Sequence, residues 1–269
     1  MSSARIGLAH RVIAAGAKLQ TFAVLVLRPD DLIEFSRQTY ARPGTVADWA
    51  RPGLVDEGLY PNEQALLEHC PVREGRLLLL GVGGGREAIP FARAGYAVTG
   101  VDFVPGMVAK AQANAAAAGL QIAGLVQELS RLDVPAGSFD LVWISSRMYS
   151  CVPTRARRVA ALQRIRRALR PGGCLVCMFE WNPRKRLTWR GLLLRKAIAL
   201  LTLGHVAFEA GDQLMHNIEF IHSFTDEEAL REEFAAGGYA VLHLDLPKAG
   251  YGGAVLQTAA EIGPSAEGA

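Results

Sequence analysis

From Arg76 to Phe179 the chain alternates short apolar runs with longer stretches of helical spacing. Leu77 to Leu80 predicts a first strand, followed by a helix from about Gly85 to Gly95, whose missing Cβ suits a left-handed cap. Tyr96 to Val101 reads as the second strand. Pro105 to Ala118 reads as the second helix, with proline in its first turn and Gly119 just past its end. Ile122 to Val126 and Phe139 to Ile144 follow as strands, then a helix from Pro153 to Leu169 and a fifth strand from Leu175 to Phe179. Strands separated by helices need crossovers, so the pattern predicts an α/β, doubly wound, mostly parallel sheet covered on both faces.

Past Glu180 the alternation lapses. Residues 181 to 222 form an apolar, basic insertion in which Leu194, Ala197, Ile198 and Leu201 share one helical stripe, expected to face the core. Thr225-Asp-Glu-Glu228 reads as a capping box opening a helix that closes at Gly237-Gly238. Tyr239 to Leu246 and Gly253 to Thr258 then supply two late strands. The expected division is a helical amino-terminal lid over 1–70, a sheet domain over 71–260 carrying the 181–222 insertion, and a flexible tail over 261–269.

At 269 residues with half of them apolar, the chain can bury a large core unaided, and a net charge of +3 decides little. Four cysteines are too sparse for a disulfide scaffold, which suits a reducing cytoplasm. Cys174 and Cys177 lie three apart on the fifth strand and so point to opposite faces; core packing is expected, and no metal. Residues 6–27 are apolar but interrupted by His10, Arg11 and Lys18, so no spanning helix is expected. The run Phe22 to Leu27 meets Arg28-Pro29-Asp30 rather than a small-residue cleavage site, unlike a signal peptide. Its amphipathic pattern suits a lid helix, with peripheral membrane contact as a second use of the same face. Arginines 155, 157, 158, 164, 166, 167 and 170 stand on one helix without an acid between them. Val159, Leu162, Ile165 and Leu169 give that helix its buried stripe, so the arginines are expected to cover the solvent side.

The chemistry concentrates where the leucine strand ends in Gly81-x-Gly83-x-Gly85. Glycines there bare backbone N–H groups to a ligand, and Asp102, closing the neighbouring strand, is suited to accept hydrogen bonds from a ribose diol. The pair reads as a nucleoside site. A dinucleotide fingerprint needs a third glycine where Arg86 stands, which argues against an NAD(P)-dependent oxidoreductase without removing it as the alternative.

On these residues the chain resembles the class I S-adenosylmethionine-dependent methyltransferases over roughly residues 60 to 258. Val126-Gln-Glu128-Leu-Ser-Arg-Leu132 matches the stretch where that family places an acid near the adenine. Ser138-Phe139-Asp140-Leu-Val-Trp-Ile144 matches its fourth strand, and Ile165-Arg-Arg-Ala-Leu-Arg-Pro171-Gly172-Gly173 its turn before the fifth. The resemblance implies a seven-stranded sheet with the last strand antiparallel, and S-adenosyl-L-methionine as cofactor. It implies that Gly81, Gly83 and Gly85 admit the methionine end and that Asp102 holds the ribose. Phe103 then packs by the adenine and Glu128 accepts from its amino group, with Leu129 and Ser145 completing the site. The chain departs from the family at Leu79, where many members carry an acid.

The acceptor side is less legible. Base-methylating members carry Asn or Asp followed by Pro-Pro-aromatic after the fourth strand; Ser145-Ser146-Arg147-Met148-Tyr149-Ser150 stands here, so no nucleic acid is expected. Ser145, Arg147 and Tyr149 fall where an acceptor should sit. His216, Glu219 and His222 are candidate proton acceptors from the insertion, histidine being the side chain that titrates near neutrality. The expectation is a cytoplasmic enzyme moving a methyl group to an O or N atom of a small, hydrophobic molecule, with His222, His216 and Tyr149 as catalytic candidates. A non-catalytic cofactor-binding module is the remaining alternative. The oligomeric state is not legible.

Overall fold

The computed structural model describes residues 11, 15–16, 19–185, 187–215 and 219–258. Residues 19–26 form helix α1. Four further helices precede the sheet: α2 (Pro29–Tyr40), α3 (Pro43–Trp49), α4 (Pro52–Val55) and α5 (Pro61–Glu68), each with proline in its first turn, where no intrahelical N–H is needed. Then come β1 (Arg76–Leu80), α6 (Ala88–Arg93), β2 (Ala97–Asp102), α7 (Pro105–Ala117), β3 (Ala123–Val126), β4 (Phe139–Ile144), α8 (Arg155–Ala168) and β5 (Leu169–Trp181). The insertion holds α9 (Trp189–Leu201) and an antiparallel pair, β6 (Asp212–Met215) and β7 (Glu219–His222). The chain then completes the sheet with α10 (Glu227–Ala236), β8 (Tyr239–Asp245) and β9 (Gly250–Thr258).

The seven strands run in the order β3-β2-β1-β4-β5-β9-β8, and only β9 opposes the others. The leucine run explains the layering. Leu78 and Leu80 enter one core with α8 and α10 residues such as Leu162 and Phe234, while Leu77 and Leu79 enter the other with Phe91, Val108 and Trp143. Cys177 and Cys174 divide between these two cores in the same way, as their spacing predicts. Leu80 is in register with both Val101 and Ile144, so Gly81, Asp102 and Ser145 emerge side by side at the carboxyl edge.

Four local expectations are corrected. The helix after the glycine turn is shorter, starting at Ala88, because the backbone stays in the turn through Gly85 at φ +98°. Asp226, not Thr225, caps α10, accepting from the N–H of Ala229 at 2.9 Å. Arg158 leaves the solvent face of α8: it is 1% exposed and clamps Glu233 (2.7 and 3.0 Å) and Glu209 (2.8 and 3.2 Å), tying α8 to α10 and to the insertion. Finally, of the α9 stripe only Ile198 faces the core, while Leu194, Ala197 and Leu201 are exposed. Leu194 and Leu201 are 64% and 85% exposed, and the helix packs inward through Ala199, Ile198 and Leu192.

Helices α1, α2 and α9 and the β6–β7 pair form one cap around Val24, Leu25, Leu32, Phe208 and Phe220. Its parts interlock through the backbone. The N–H of His205 donates to the Leu25 carbonyl at 2.9 Å, and that of Phe220 to Ser36 Oγ at 3.1 Å. A Cβ on Gly204 would meet the Leu25 carbonyl oxygen at 2.2 Å, so a glycine is needed where the two segments touch. Among the described residues, no helix is long and apolar enough to cross a membrane.

Candidate functional site

A cavity of about 280 Å³ opens at the carboxyl edge of β1, β2 and β4. At one end it is lined by Gly81, Gly83, Asp102, Phe103, Glu128, Leu129 and Ser145. Asp102 is buried, and its carboxylate accepts from the N–H groups of Gly83 (3.1 Å) and Val104 (3.0 Å). Burial pushes its pKa up to about 6, against the lowering effect of those N–H groups. The turn itself needs glycine. Gly81 has φ +87°, and a Cβ there would strike Met148 at 2.6 Å. Glu128 lines the cavity while its carboxylate accepts from the Ser130 N–H and hydroxyl, both at 2.7 Å. Gly85 stands back from the lining, where it lets α7 approach: its Cβ would lie 3.3 Å from the Ala111 Cα.

The amino-terminal helices close the other side. A Cβ on Gly84 would lie 2.2 Å from the Trp49 carbonyl oxygen and 2.6 Å from the Ala50 Cα, so the end of α3 rests directly on the glycine turn. Asn114 from α7 holds it there by donating to the carbonyls of Ala50 (3.2 Å) and Gly84 (2.9 Å). We expect Gly84→Ala to lift α3, weakening cofactor binding about tenfold and costing about 1–3 kcal/mol of stability, as overpacking does. Calorimetric titration and thermal melting of the variant check both.

Beyond the glycine turn the cavity meets the cap through Ile33, Ser36 and Tyr40 of α2 and Glu219 of β7, facing Arg147, Met148 and Cys151 after β4 and Tyr251 of β9. Glu219 receives hydrogen bonds from the Tyr40 hydroxyl and from the Cys151 thiol, the latter at 3.5 Å. Burial first, and the neighbouring Glu219 next, raise both groups well above their ordinary pKa values, so both stay protonated and donate. The Arg147 guanidinium lies 4.6 Å over the Tyr251 ring, hydrogen-bonds its hydroxyl, touches the Met215 sulfur and pairs with Glu180 at 3.8 Å.

Residues 77–173 match the family described as methyltransferase domain. A demethylmenaquinone methyltransferase of Thermus thermophilus is 32% identical over 179 residues, covering 65% of this chain and 77% of that one. The chain belongs to the class I S-adenosylmethionine-dependent methyltransferases. An uncharacterized protein of Mycobacterium tuberculosis is 32% identical over 146 residues, 54% of this chain and 51% of the relative, so the chain spans about half the length of that protein. A solved S-adenosylmethionine-dependent methyltransferase from Methanosarcina mazei shares the fold, with a TM-score of 0.56 at 22% identity over 75% of this chain and 99% of that chain.

The cofactor candidates other than Gly85 meet at one cavity, whereas Tyr149 and His222 do not line it. Tyr149 is fully buried, donates to Glu233 and stacks on Phe224, away from the lining. His222 is also outside the lining. Its Nδ1 lies 2.8 Å from Asp212, which also meets His205 Nε2 at 3.0 Å. Burial alone would raise the Asp212 pKa, but the two imidazoles bring it down to about 2, so an ionised Asp212 orients both rings. His216 lies outside the described residues. Arg147, Ser145 and Glu219 do line the cavity.

Sequence reasoning missed Tyr40, Trp49, Cys151 and Tyr251. It also missed Glu87, whose signal was its place beside Arg86. Glu87 is buried beneath the edge, hydrogen-bonded to the Ser145 hydroxyl and to Arg86 at 2.6 Å. Arg86 in turn is bidentate with the fully buried Glu63 at 2.6 and 2.7 Å and lies 3.9 Å over the Tyr60 ring. With Leu79 buried in the core, Glu87 returns a carboxylate to the strand edge that the motif itself lacks. Burial chiefly, offset by Arg86, brings its pKa up to about 7.

Proposed function

We propose that this chain transfers the methyl group of S-adenosylmethionine to a nucleophilic oxygen or nitrogen of a small, largely apolar acceptor, in the cytoplasm. One observation carries the reading: a single cavity runs from the Asp102 carboxylate to the Glu219–Tyr40–Cys151 cluster. The cofactor supplies an electrophilic methyl with its leaving group attached. What remains for the protein is alignment in a dry site and removal of the acceptor's proton. Asp102 would hold the ribose diol, and the backbone at Gly81 and Gly83 would admit the methionine end. Ile33, Trp49, Met148 and Val152 would exclude water from the line of attack. Glu219 would take the proton, its charge steadied by the two donors already on it. The apolar walls favour an apolar acceptor, in keeping with the demethylmenaquinone for which the Thermus relative is named.

Heat on titration with adenosylhomocysteine and none with NADH is the expected first result; the reverse would overturn the reading in favour of an oxidoreductase. An acceptor is then sought by transfer of labelled methyl to extracted metabolites. With it in hand, Glu219→Gln should lower kcat by about 100-fold or more, the range of general-base catalysis, and leave adenosylhomocysteine affinity unchanged. Binding without transfer to any acceptor would leave the chain a cofactor-binding module.

A further inference from the structure

Among the described residues, the outer face of the cap is apolar and has no partner. Leu19 and Phe22 of α1 are 70% and 49% exposed, and Trp189, Leu194, Leu201 and Leu203 on and after α9 are 64–85% exposed. The two helices present these side chains on one unit. Arg28 at the end of α1 donates to the Leu203 carbonyl at 3.2 Å, and His205 bonds back to Leu25. An exposed apolar surface of this kind is seldom left to water.

Charge identifies what covers it. Residues 1–29 and 181–208 hold ten of the chain's 29 Lys and Arg and none of its 26 Asp and Glu, so the remainder carries 19 basic against 26 acidic residues. Arg190 and Lys196 are exposed beside the leucines, and the Arg190 guanidinium lies 5.2 Å over the Trp189 ring. A second copy is a poor occupant, since a two-fold contact would set this cationic face against itself. Exposed leucines and tryptophan with Arg28, Arg190 and Lys196 on the same unit match acyl chains beneath anionic headgroups.

We propose that the outer face of α1 and α9 docks on an anionic lipid bilayer. The inner side of the same cap supplies Ile33, Ser36, Tyr40 and Glu219 to the cavity, so docking brings the acceptor half of the site to the membrane surface. Docking is independent of which acceptor, if any, is methylated.

The test is sedimentation of the full chain with phosphatidylcholine vesicles, with and without phosphatidylglycerol. Binding to the mixed vesicles alone, weakened by added salt, is expected. Leu194→Glu with Leu201→Glu should weaken it at least about tenfold, since two apolar anchors are lost. Arg190→Glu with Lys196→Glu should do so by a similar factor through charge. Adenosylhomocysteine affinity serves as the folding control and should be unchanged in both variants. Three results would overturn the proposal: no binding to anionic vesicles, equal binding by the leucine variant, or a dimer of the native chain in light scattering that the leucine variant splits.

Discussion

Asp102→Asn is expected to weaken adenosylhomocysteine binding by about 30- to 100-fold, because two hydroxyl donors lose a charged acceptor for a neutral one. The unliganded fold should not suffer. The amide oxygen can still accept from Gly83 or Val104, whereas the native carboxylate is held at a cost to the empty protein. Its rise from 3.8 to about 6 corresponds to roughly 3 kcal/mol against the ionised form. The sign of the pH dependence follows. With the folded pKa above the unfolded one, the contribution of Asp102 to stability is full below 3.8 and is lost as pH rises through about 6. Cofactor affinity runs the other way, rising through about pH 6 as the carboxylate ionises and levelling above it. Calorimetric titrations and thermal melts on either side of pH 6 should show these opposed trends in the native chain and neither in the variant. A variant that binds like the native chain would remove Asp102 from the site.

Arg158→Ala should be the most damaging single change to the fold, costing about 3–5 kcal/mol, because it strands a buried carboxylate that the guanidinium now neutralises. Glu233 is 2% exposed, so it would face protonation or burial as an unpaired charge. Arg158→Met combined with Glu233→Leu should recover only part of the loss: the buried ion pair is gone, but the Tyr149 hydroxyl loses its acceptor and Glu209 its partner. Chemical denaturation of Arg158→Met, Glu233→Leu and the double variant gives the coupling directly, and additive losses would show that the pair acts as two separate sites.

The parallel core and the meeting of the glycine turn with Asp102 at one cavity were legible in the chain because both arise from local pattern. A strand that ends in glycines announces its own turn, and parallel strands in register bring their ends to one edge, so Gly81, Asp102 and Ser145 could be placed together without coordinates. The other end of the cavity depends on partners far apart in sequence, Tyr40 with Glu219 and Cys151, and no periodicity reports such a meeting. Arg158 did leave a trace. It stands three, four and seven residues before Ala161, Leu162 and Ile165, on the buried stripe itself, and its charge alone argued for solvent. Helix α9 left none. Trp189-Arg-Gly-Leu-Leu-Leu-Arg-Lys-Ala-Ile-Ala-Leu-Leu201 is apolar around most of its circumference, so spacing could not choose which side faces inward.

The small overall charge of +3 hides a lopsided molecule. The described cations of the cap, among them Arg28, Arg190 and Lys196, stand against an acidic excess in residues 30–180 and 209–269, so the charge is unevenly spread. Such a particle turns in the field of a charged surface before it arrives, and collisions become oriented rather than random. Its isoelectric point near 8.7 therefore describes a sum and not a surface: the two regions should attract partners of opposite charge, and added salt should weaken both attractions.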